Sequence, residues 1–415
     1  MILNLIFIVL FILALDLYGF YGIRKILRHK PFLHYKKAIA WGYWIMDIGF
    51  LVFSLVWALI IRNSNWPDYV QYRSYFYITG AFMLIFLPKI VFLIFNLLHD
   101  LFLLVRYLIS LIASHDKKER RTKSVPVLLV AGFALSVFMF GWVLYGMVYG
   151  RFNFQVKEVE VEIADLPPAF EGLRIIQFSD THFGSFARKR PVRRGLNKIK
   201  NTPHDILVFT GDMVNNEAVE AEKFADLIAS INSPLGKFSI LGNHDMGDYR
   251  RWYTIEEKAA NLQQLEDVQA AMGFELLRNS HRFVVKGQDS LMIIGVDNWG
   301  LPPFDQLGDL GEARGNHKDF PLQILLSHDP THYTEEVVPD TDIILTLSGH
   351  THGMQAGIRT PWFNWSPVSI KYPYWYGLYE VDGQYLYVNR GFGFIGFPGR
   401  MGMRPEITVL VLRGK

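Results

Sequence analysis

Apolar residues run almost unbroken through the first third of this chain, then break into short bursts separated by polar stretches. Residues 1–23 are apolar apart from Asn4 and Asp16, and 38–61 apart from Asp47. Residues 75–98 are apolar around Pro88-Lys89, and 125–149 hold no charge at all. A helix needs roughly 20 residues to cross the ~30 Å hydrocarbon core of a bilayer, so each run suffices for one crossing. The pattern predicts a four-helix transmembrane domain over residues 1–150. The first run lacks a basic leader and a small-residue cleavage site, so it reads as a retained helix, not a removed signal peptide.

Basic residues orient the bundle. Arg24, Lys25, Arg28, Lys30, Lys36 and Lys37 follow the first run, and Lys117, Lys118, Arg120, Arg121 and Lys123 follow the third. The middle loop has only Arg62 and Arg73, with Asp68. Basic loops stay in the cytoplasm, which sends the N-terminus and everything after Gly150 to the outer side. Residues 100–113 are also apolar apart from Asp100 and Arg106. A fifth span there would put the two basic loops on opposite sides. We read it as the third helix running past the bilayer, or as a cytoplasmic amphipathic extension.

Beyond residue 150 the apolar runs are of strand length. They fall at 158–163, 173–179, 205–210, 237–241, 290–296, 322–326, 342–347, 377–381, 384–389 and 406–412. Helical stretches fit 191–200, 218–231 and 255–272, and Asp382-Gly383 is a two-residue hairpin signal. Strands first alternate with helices and then cluster. The predicted fold is an N-terminal α-helical transmembrane bundle plus an α/β domain over residues 151–415. That domain should hold two mixed sheets in a β-sandwich flanked by helices.

Composition narrows the chemistry. The formal net charge of +3 on 415 residues is small, so no nucleic-acid partner is expected. The absence of cysteine excludes disulfides, a thiolate zinc site and a Cys nucleophile. Asp16, Asp47 and Lys89 are charges inside membrane spans, where charge is costly and often functional. They read either as a buried ion pair or as a polar pocket for a lipid headgroup.

Five strand-like runs each end in a metal-ligand residue. In order these are Asp180-Thr181-His182, Gly211-Asp212, Gly242-Asn243-His244-Asp245, Ser327-His328-Asp329 and Gly349-His350-Thr351-His352. Strand C-terminal ends are where open α/β sheets place their sites. Carboxylate, imidazole and amide without thiolate suit a pair of hard-to-borderline divalent cations. This series resembles the calcineurin-like binuclear metallophosphoesterases. The tail Asn389-Arg390-Gly391-Phe392-Gly393 and Arg404-Pro405-Glu406-Ile407 is similar to their membrane-associated bacterial branch. Gly353-Met354-Gln355 stands where that branch commonly has Gly-Gly-Gln.

The resemblance implies that Asp180, His182 and His352 hold one metal, that Asn243, His328 and His350 hold a second, and that Asp212 bridges them. It implies two divalent ions, manganese, zinc, iron or cobalt, sharing a hydroxide that attacks phosphorus. His244 is then the catalytic acid at the leaving group, oriented by Asp245 or a backbone carbonyl. Arg250, Arg251, Arg359, Arg390 and Arg400 are candidates for a substrate phosphate, Arg390 first. His204, His281, His317 and His332 read as surface or packing residues. The aromatic run Trp362, Phe363, Trp365, Tyr372, Tyr374, Trp375 and Tyr376 fits either core packing or a loop at the bilayer surface.

The expected function is metal-dependent hydrolysis of a phosphomonoester, phosphodiester or pyrophosphate of an envelope or lipid-linked compound. The expected partners are the lipid bilayer and that phosphorylated substrate. The expected setting is a bacterial plasma membrane with the catalytic domain outside. The alternative is a signalling or transport-coupled membrane protein with a degenerate phosphoesterase domain.

Overall fold

The computed structural model describes residues 2–28, 34–113, 126–360 and 362–415. Lys30 of the first basic loop and Lys117, Lys118, Arg120, Arg121 and Lys123 of the third lie outside the described residues. Two compact units emerge, one of Met1–Asn65 with Tyr77–Tyr145 and one of Trp66–Phe76 with Gly146–Lys415.

The first unit is helical. It contains α1 (Ile2–Ile26), α2 (Lys36–Arg62), most of α3 (Asp68–Ala113) and most of α4 (Pro126–Val148). By length and composition α2, α3 and α4 can each cross a membrane, and α1 has 25 residues. With 46 residues α3 is one continuous helix, roughly 69 Å long at 1.5 Å per residue. It therefore outruns the ~30 Å apolar layer, and residues 100–113 extend it instead of forming a fifth span. The three intramembrane charges meet. Lys89 Nζ lies 2.9 Å from Asp16 Oδ1 and also pairs with Asp47. Tyr43 Oη donates to the Asp16 carbonyl at 2.9 Å. One ammonium thus ties α1, α2 and α3 together. Two carboxylates already over-neutralise it, so the cluster offers a headgroup phosphate no net positive charge.

In the second unit one six-stranded sheet has the order β1 (Gln155–Ile163), β14 (Glu406–Gly414), β2 (Arg174–Phe178), β3 (Ile206–Thr210), β4 (Lys237–Ile240), β5 (Glu275–Leu276). The other runs β12 (Gly377–Val381), β13 (Gln384–Val388), β9 (Leu345–Ser348), β8 (Gln323–Leu326), β7 (Asp289–Gly295), β6 (Ser280–Lys286). Both are mixed. Strands β2 to β5 are parallel while β14 is antiparallel to β2, and β7, β8, β9 and β13 are parallel between antiparallel edges. A shared core joins the two inner faces, with Ile175, Val208 and Leu410 from one sheet meeting Ile293, Ile324, Leu347 and Tyr387 from the other. Helices α5 (Lys189–Asn201) and α8 (Ile255–Ala271) cover the outer face of the first sheet through Val192, Leu196, Leu265 and Val268. Burial on both faces explains why the central strands read as continuous apolar runs.

Most expected elements lie within a few residues of their observed positions. Asp382 and Gly383 take φ of 51° and 82°, the left-handed pair that a type I′ hairpin turn needs. The expected helix over 218–231 is instead two short pieces, α6 (Val219–Glu222) and α7 (Ala225–Ala229). Between them Phe224 turns into the core, its ring stacked 4.5 Å from Phe183. Strand β6 and the small hairpin of β10 (Ile358–Arg359) and β11 (Asn364–Trp365) were not expected. Their exposed apolar residues lack a clean inward–outward alternation.

Residues 66–76, before and within the first turns of α3, pack inside the second unit. Arg250 Nη2 sits 2.8 Å from Asp68 Oδ2, and Arg250 Nη1 2.9 Å from Glu217.

Replacing Lys89 by Met should leave Asp16 and Asp47 buried without a counter-charge. Breaking a buried pair in this way costs about 3–5 kcal/mol. Thermal unfolding of the detergent-solubilised full chain should show a clearly lower midpoint, partly recovered when Asp16→Asn and Asp47→Asn are added. An unchanged midpoint would mean that the cluster is solvated.

Candidate metal centre

The five motifs occupy the loops that follow β2, β3, β4, β8 and β9, all at strand C-terminal ends. The adjacent parallel strands bring these loops to one edge of the sandwich. Two groups of donor atoms result, Asp180 with His182 and His352, and Asp212 with His328 and His350, each with its atoms within 4.8 Å of one another. Asp212 Oδ2 lies 3.2 Å from His328 Nε2 and 3.5 Å from His182 Nε2, so one carboxylate oxygen faces both groups. Asp180 Oδ1 is 3.3 Å from His352 Nε2. Asn243 Oδ1 is 3.0 Å from His350 Nδ1 and so joins the second group. The structure thus brings together all seven residues singled out as ligands.

The backbone is bent to present them. Asp180, His182, Asp212, His350 and His352 have φ between 42° and 68°. Side-chain-bearing residues rarely adopt this region, at a cost of order 1–3 kcal/mol each, and such strain clusters at functional sites. Two glycines permit the close approach. A Cβ on Gly242 would lie 2.3 Å from Asp212 Oδ1, and one on Gly349 would lie 2.3 Å from Asp180 Oδ2. The carboxylates pass directly over these two residues, so the motifs need glycine there.

Electrostatics show that the donor set fits cations. Burial lowers His182 to about 3 and His350 to about 4, and holds His352 well below its usual value. These imidazoles are therefore neutral lone-pair donors at neutral pH. Burial would also lower His328, but the Asp212 carboxylate outweighs it and pushes His328 up to about 10. That carboxylate calls for positive charge beside it. His328 Nδ1 donates to the Thr210 carbonyl at 2.7 Å, leaving Nε2 turned to Asp212 and otherwise without a hydrogen bond. His182 and His352 face each other Nε2 to Nε2 at 3.0 Å. Arg400 Nη2 donates to His352 Nδ1 at 3.2 Å and to the Arg390 carbonyl at 2.8 Å. Converging ring nitrogens, buried carboxylates and imidazoles kept neutral by burial are a donor set that suits divalent ions.

Other side chains hold the donors. His244 Nδ1 donates to the Asn215 carbonyl at 2.9 Å, which leaves Nε2 as its reactive nitrogen. Of the two orienting groups considered for His244, the backbone carbonyl is the one in place. Asp245 points away and accepts the backbone N–H groups of Asp212, Met213, Val214 and Gly242 at 2.8–3.2 Å. It splints the loops after β3 and β4. Tyr249 was not singled out from sequence. Its ring stacks on His244 at 4.2 Å, and its hydroxyl accepts from Asn243 Nδ2 at 2.7 Å, which aims Asn243 Oδ1 at the second group. Asp329, quoted within a motif, and Tyr372, named in the aromatic run, were assigned no role at the centre. They lie 3.4 Å and 2.9 Å from His350 Nε2, the nitrogen facing away from Asn243. No spacing rule reveals these contacts, although Tyr249 and Asp329 lie close to the motifs in sequence.

The arginine candidates separate. Arg390 is fully buried, with Nε donating to Glu406 Oε2 at 2.6 Å, so it cannot reach a substrate. Arg400 is buried behind His352. Arg250 is committed to Asp68 and Glu217, while Arg251 and Arg359 are exposed. His332 is buried, bonded to Ser327 Oγ and Glu336 at 2.9 Å each, and packs beneath the His328 loop.

Comparison with known proteins agrees with this geometry. Residues 2–151 match the family model described as "Probable Calcineurin-like phosphoesterase, transmembrane domain", and residues 173–354 match "Calcineurin-like phosphoesterase". The uncharacterized metallophosphoesterase YkuE of Bacillus subtilis is 31% identical over 268 residues, covering 62% of this chain and 85% of that protein. The uncharacterized metallophosphoesterase Cj0846 of Campylobacter jejuni is 26% identical over 407 residues, 88% of this chain and 99% of its own length. The UDP-2,3-diacylglucosamine pyrophosphatase LpxG of Chlamydia muridarum is 28% identical over 279 residues, 55% of this chain and 81% of the relative. The chain is an integral membrane phosphoric ester hydrolase and belongs to the calcineurin-like phosphoesterases.

Proposed function

We propose that this chain hydrolyses a phosphoester or pyrophosphate bond of a lipid-linked envelope compound, using two divalent cations. Asp180, His182 and His352 would hold one cation, Asn243, His328 and His350 the other, and Asp212 would face both. The observation that carries this reading is the Asp212 oxygen lying within 3.5 Å of an imidazole nitrogen from each group. Manganese, zinc, iron and cobalt all suit the oxygen and nitrogen donors. The lipid part draws on the membrane bundle and on the relative named for a diacylglucosamine substrate. The outward orientation draws on the basic residues at Arg24, Lys25, Arg28, Lys36 and Lys37 against the sparse middle loop.

When bound, such a cation pair supplies Lewis acidity at the phosphoryl oxygens and acidifies a water. The chain's own residues do the rest. Asp212 offsets part of the cations' mutual repulsion. The neutral imidazoles add no negative charge, so the centre stays electrophilic. Asp245 and the strained loops hold the donors in place without reorganisation. As the imidazolium, with Nδ1–H held on the Asn215 carbonyl and its ring against the Tyr249 face, His244 would give its second proton, on Nε2, to the departing oxygen and be left neutral.

The full chain in nanodiscs, loaded with manganese or zinc, should hydrolyse phosphate esters. Asp212→Asn should lower turnover at least ~10²-fold, because the centre supplies several kcal/mol, and should lower bound metal by elemental analysis. Full activity in that variant would overturn the assignment. Equal efficiency on soluble and lipid-linked substrates would remove the lipid part and leave the hydrolase standing.

His244→Gln should retain metal yet lose about 10²- to 10⁴-fold in kcat. The loss should shrink for a nitrophenyl ester, whose leaving group needs no proton. An equal loss for both leaving groups would count against an acid role. Tyr249→Phe keeps the stacked ring but frees the Asn243 amide. Metal titration should show about 10-fold weaker binding of one ion of the pair, the usual scale for a group that orients a ligand.

A further inference from the structure

We infer that the hairpin β10–β11 and the basic pocket at its base dock on the surface of an anionic lipid bilayer. The expected aromatic run divides in the structure. Tyr372 and Trp375 are buried beside the metal centre, whereas Trp362 is 92% exposed and Phe363 54% exposed. All described residues from 358 to 365 are exposed. The hairpin has only two ladder pairs, Ile358 with Trp365 and Arg359 with Asn364. Such a short ribbon has no core of its own, yet its tip carries two large aromatic residues. Exposed apolar clusters of this kind mark interaction surfaces. Met354, just before the hairpin, adds an exposed thioether on strained backbone at φ 47°.

Two further observations identify the partner. The first is charge. An open pocket of about 820 Å³ at the hairpin base is lined by Lys157, Arg359, Asn364 and Tyr376, with no carboxylate in its wall. Lys157 donates to the Tyr376 hydroxyl at 3.1 Å, and Arg359 stacks 5.0 Å above the same ring. Neither makes a salt bridge among the described residues. Lys371, exposed beside the exposed Ile370, lies outside that pocket, its ammonium 5.0 Å and 5.2 Å from the Phe304 and Tyr372 rings. Cations behind aromatic residues are the pattern of a segment lying at a lipid interface, with rings at headgroup depth and ammonium or guanidinium groups on the phosphates.

The second observation is position within the unit. The end of the membrane helix α4 enters this unit at Gly146, whose carbonyl accepts from Arg400 N at 3.1 Å. The next residue, Met401, bonds through its backbone to Gln355 and Gly357, the residues that lead into β10. Ser366 pins the other end of the hairpin to the Gly353 carbonyl at 2.8 Å. The hairpin is therefore rooted beside the point where the chain leaves a membrane span. One root, Gly353, directly follows His352 of the metal centre.

The absence of cysteine permits a single spin label. Phe363→Cys, with Trp362→Cys as a second site, is labelled in the full-length chain. Val285→Cys on β6 is the control, 60% exposed on another part of the fold. The samples are compared in nanodiscs of phosphatidylglycerol with phosphatidylcholine and in nanodiscs of phosphatidylcholine alone. In the anionic discs the hairpin labels should collide more with oxygen than with a nickel chelate, and the control should show the reverse. Adding Lys157→Glu with Arg359→Glu should shift the hairpin labels toward the aqueous pattern in the anionic discs. Hairpin labels as aqueous as the control would overturn the proposal. So would dipolar broadening between labels, which would show a second copy of the chain covering the hairpin. None of these readings requires turnover, so the result stands apart from the substrate assignment.

Discussion

The structure depends on one electrostatic constraint, a buried carboxylate that needs positive charge on two sides. Asp212 is almost fully buried, and one of its oxygens faces imidazoles of both donor groups. Leaving such a group in a protein interior without a counter-charge costs several kcal/mol. The fold accepts strained backbone at five donor residues and two glycines under the carboxylates to keep the arrangement. The sandwich core, shared by two mixed sheets, supplies the rigidity that holds that strain. Asp245 contributes locally, gathering four backbone N–H groups that would otherwise be buried without partners.

The same logic appears in the helical unit with different chemistry. There the buried ion is an ammonium, Lys89, and the counter-charges are Asp16 and Asp47. These charges meet one another within the unit, although one Asp47 oxygen is left without a hydrogen bond. In the metal centre burial holds His182, His350 and His352 neutral, while the Asp212 carboxylate pushes His328 up. One cluster pairs its own opposite charges, while the other gathers carboxylates and ring nitrogens that suit added cations.

Much of the fold was legible in the chain. Apolar runs of 20 or more residues can hardly be anything but membrane helices, and central strands buried on both faces read as apolar bursts. The donor residues were legible because each follows such a burst and because glycine marks the close approaches. Less legible were β6 and β10–β11, whose exposed faces break the alternation expected of strands. The helix over 218–231 failed because Phe224 gains more from the core than the helix gains from continuity. Arg390 looked available beside a glycine-rich turn, yet it lies in the interior against Glu406.

By itself the sequence determined element type, the division into apolar and α/β halves, and the candidate metal donors. These follow from local pattern, since hydrophobic period and strand-end position are properties of neighbouring residues. Only the tertiary structure decided which groups orient those donors. Tyr249 on Asn243 and His244, Asp329 and Tyr372 on His350, and the Asn215 carbonyl on His244 are contacts set by how loops from different strands meet. It also decided which aromatic residues of one run face the core and which face outward. A hydrogen bond or a buried ring depends on distances between residues far apart in the chain, and those distances exist only once the sheets have packed.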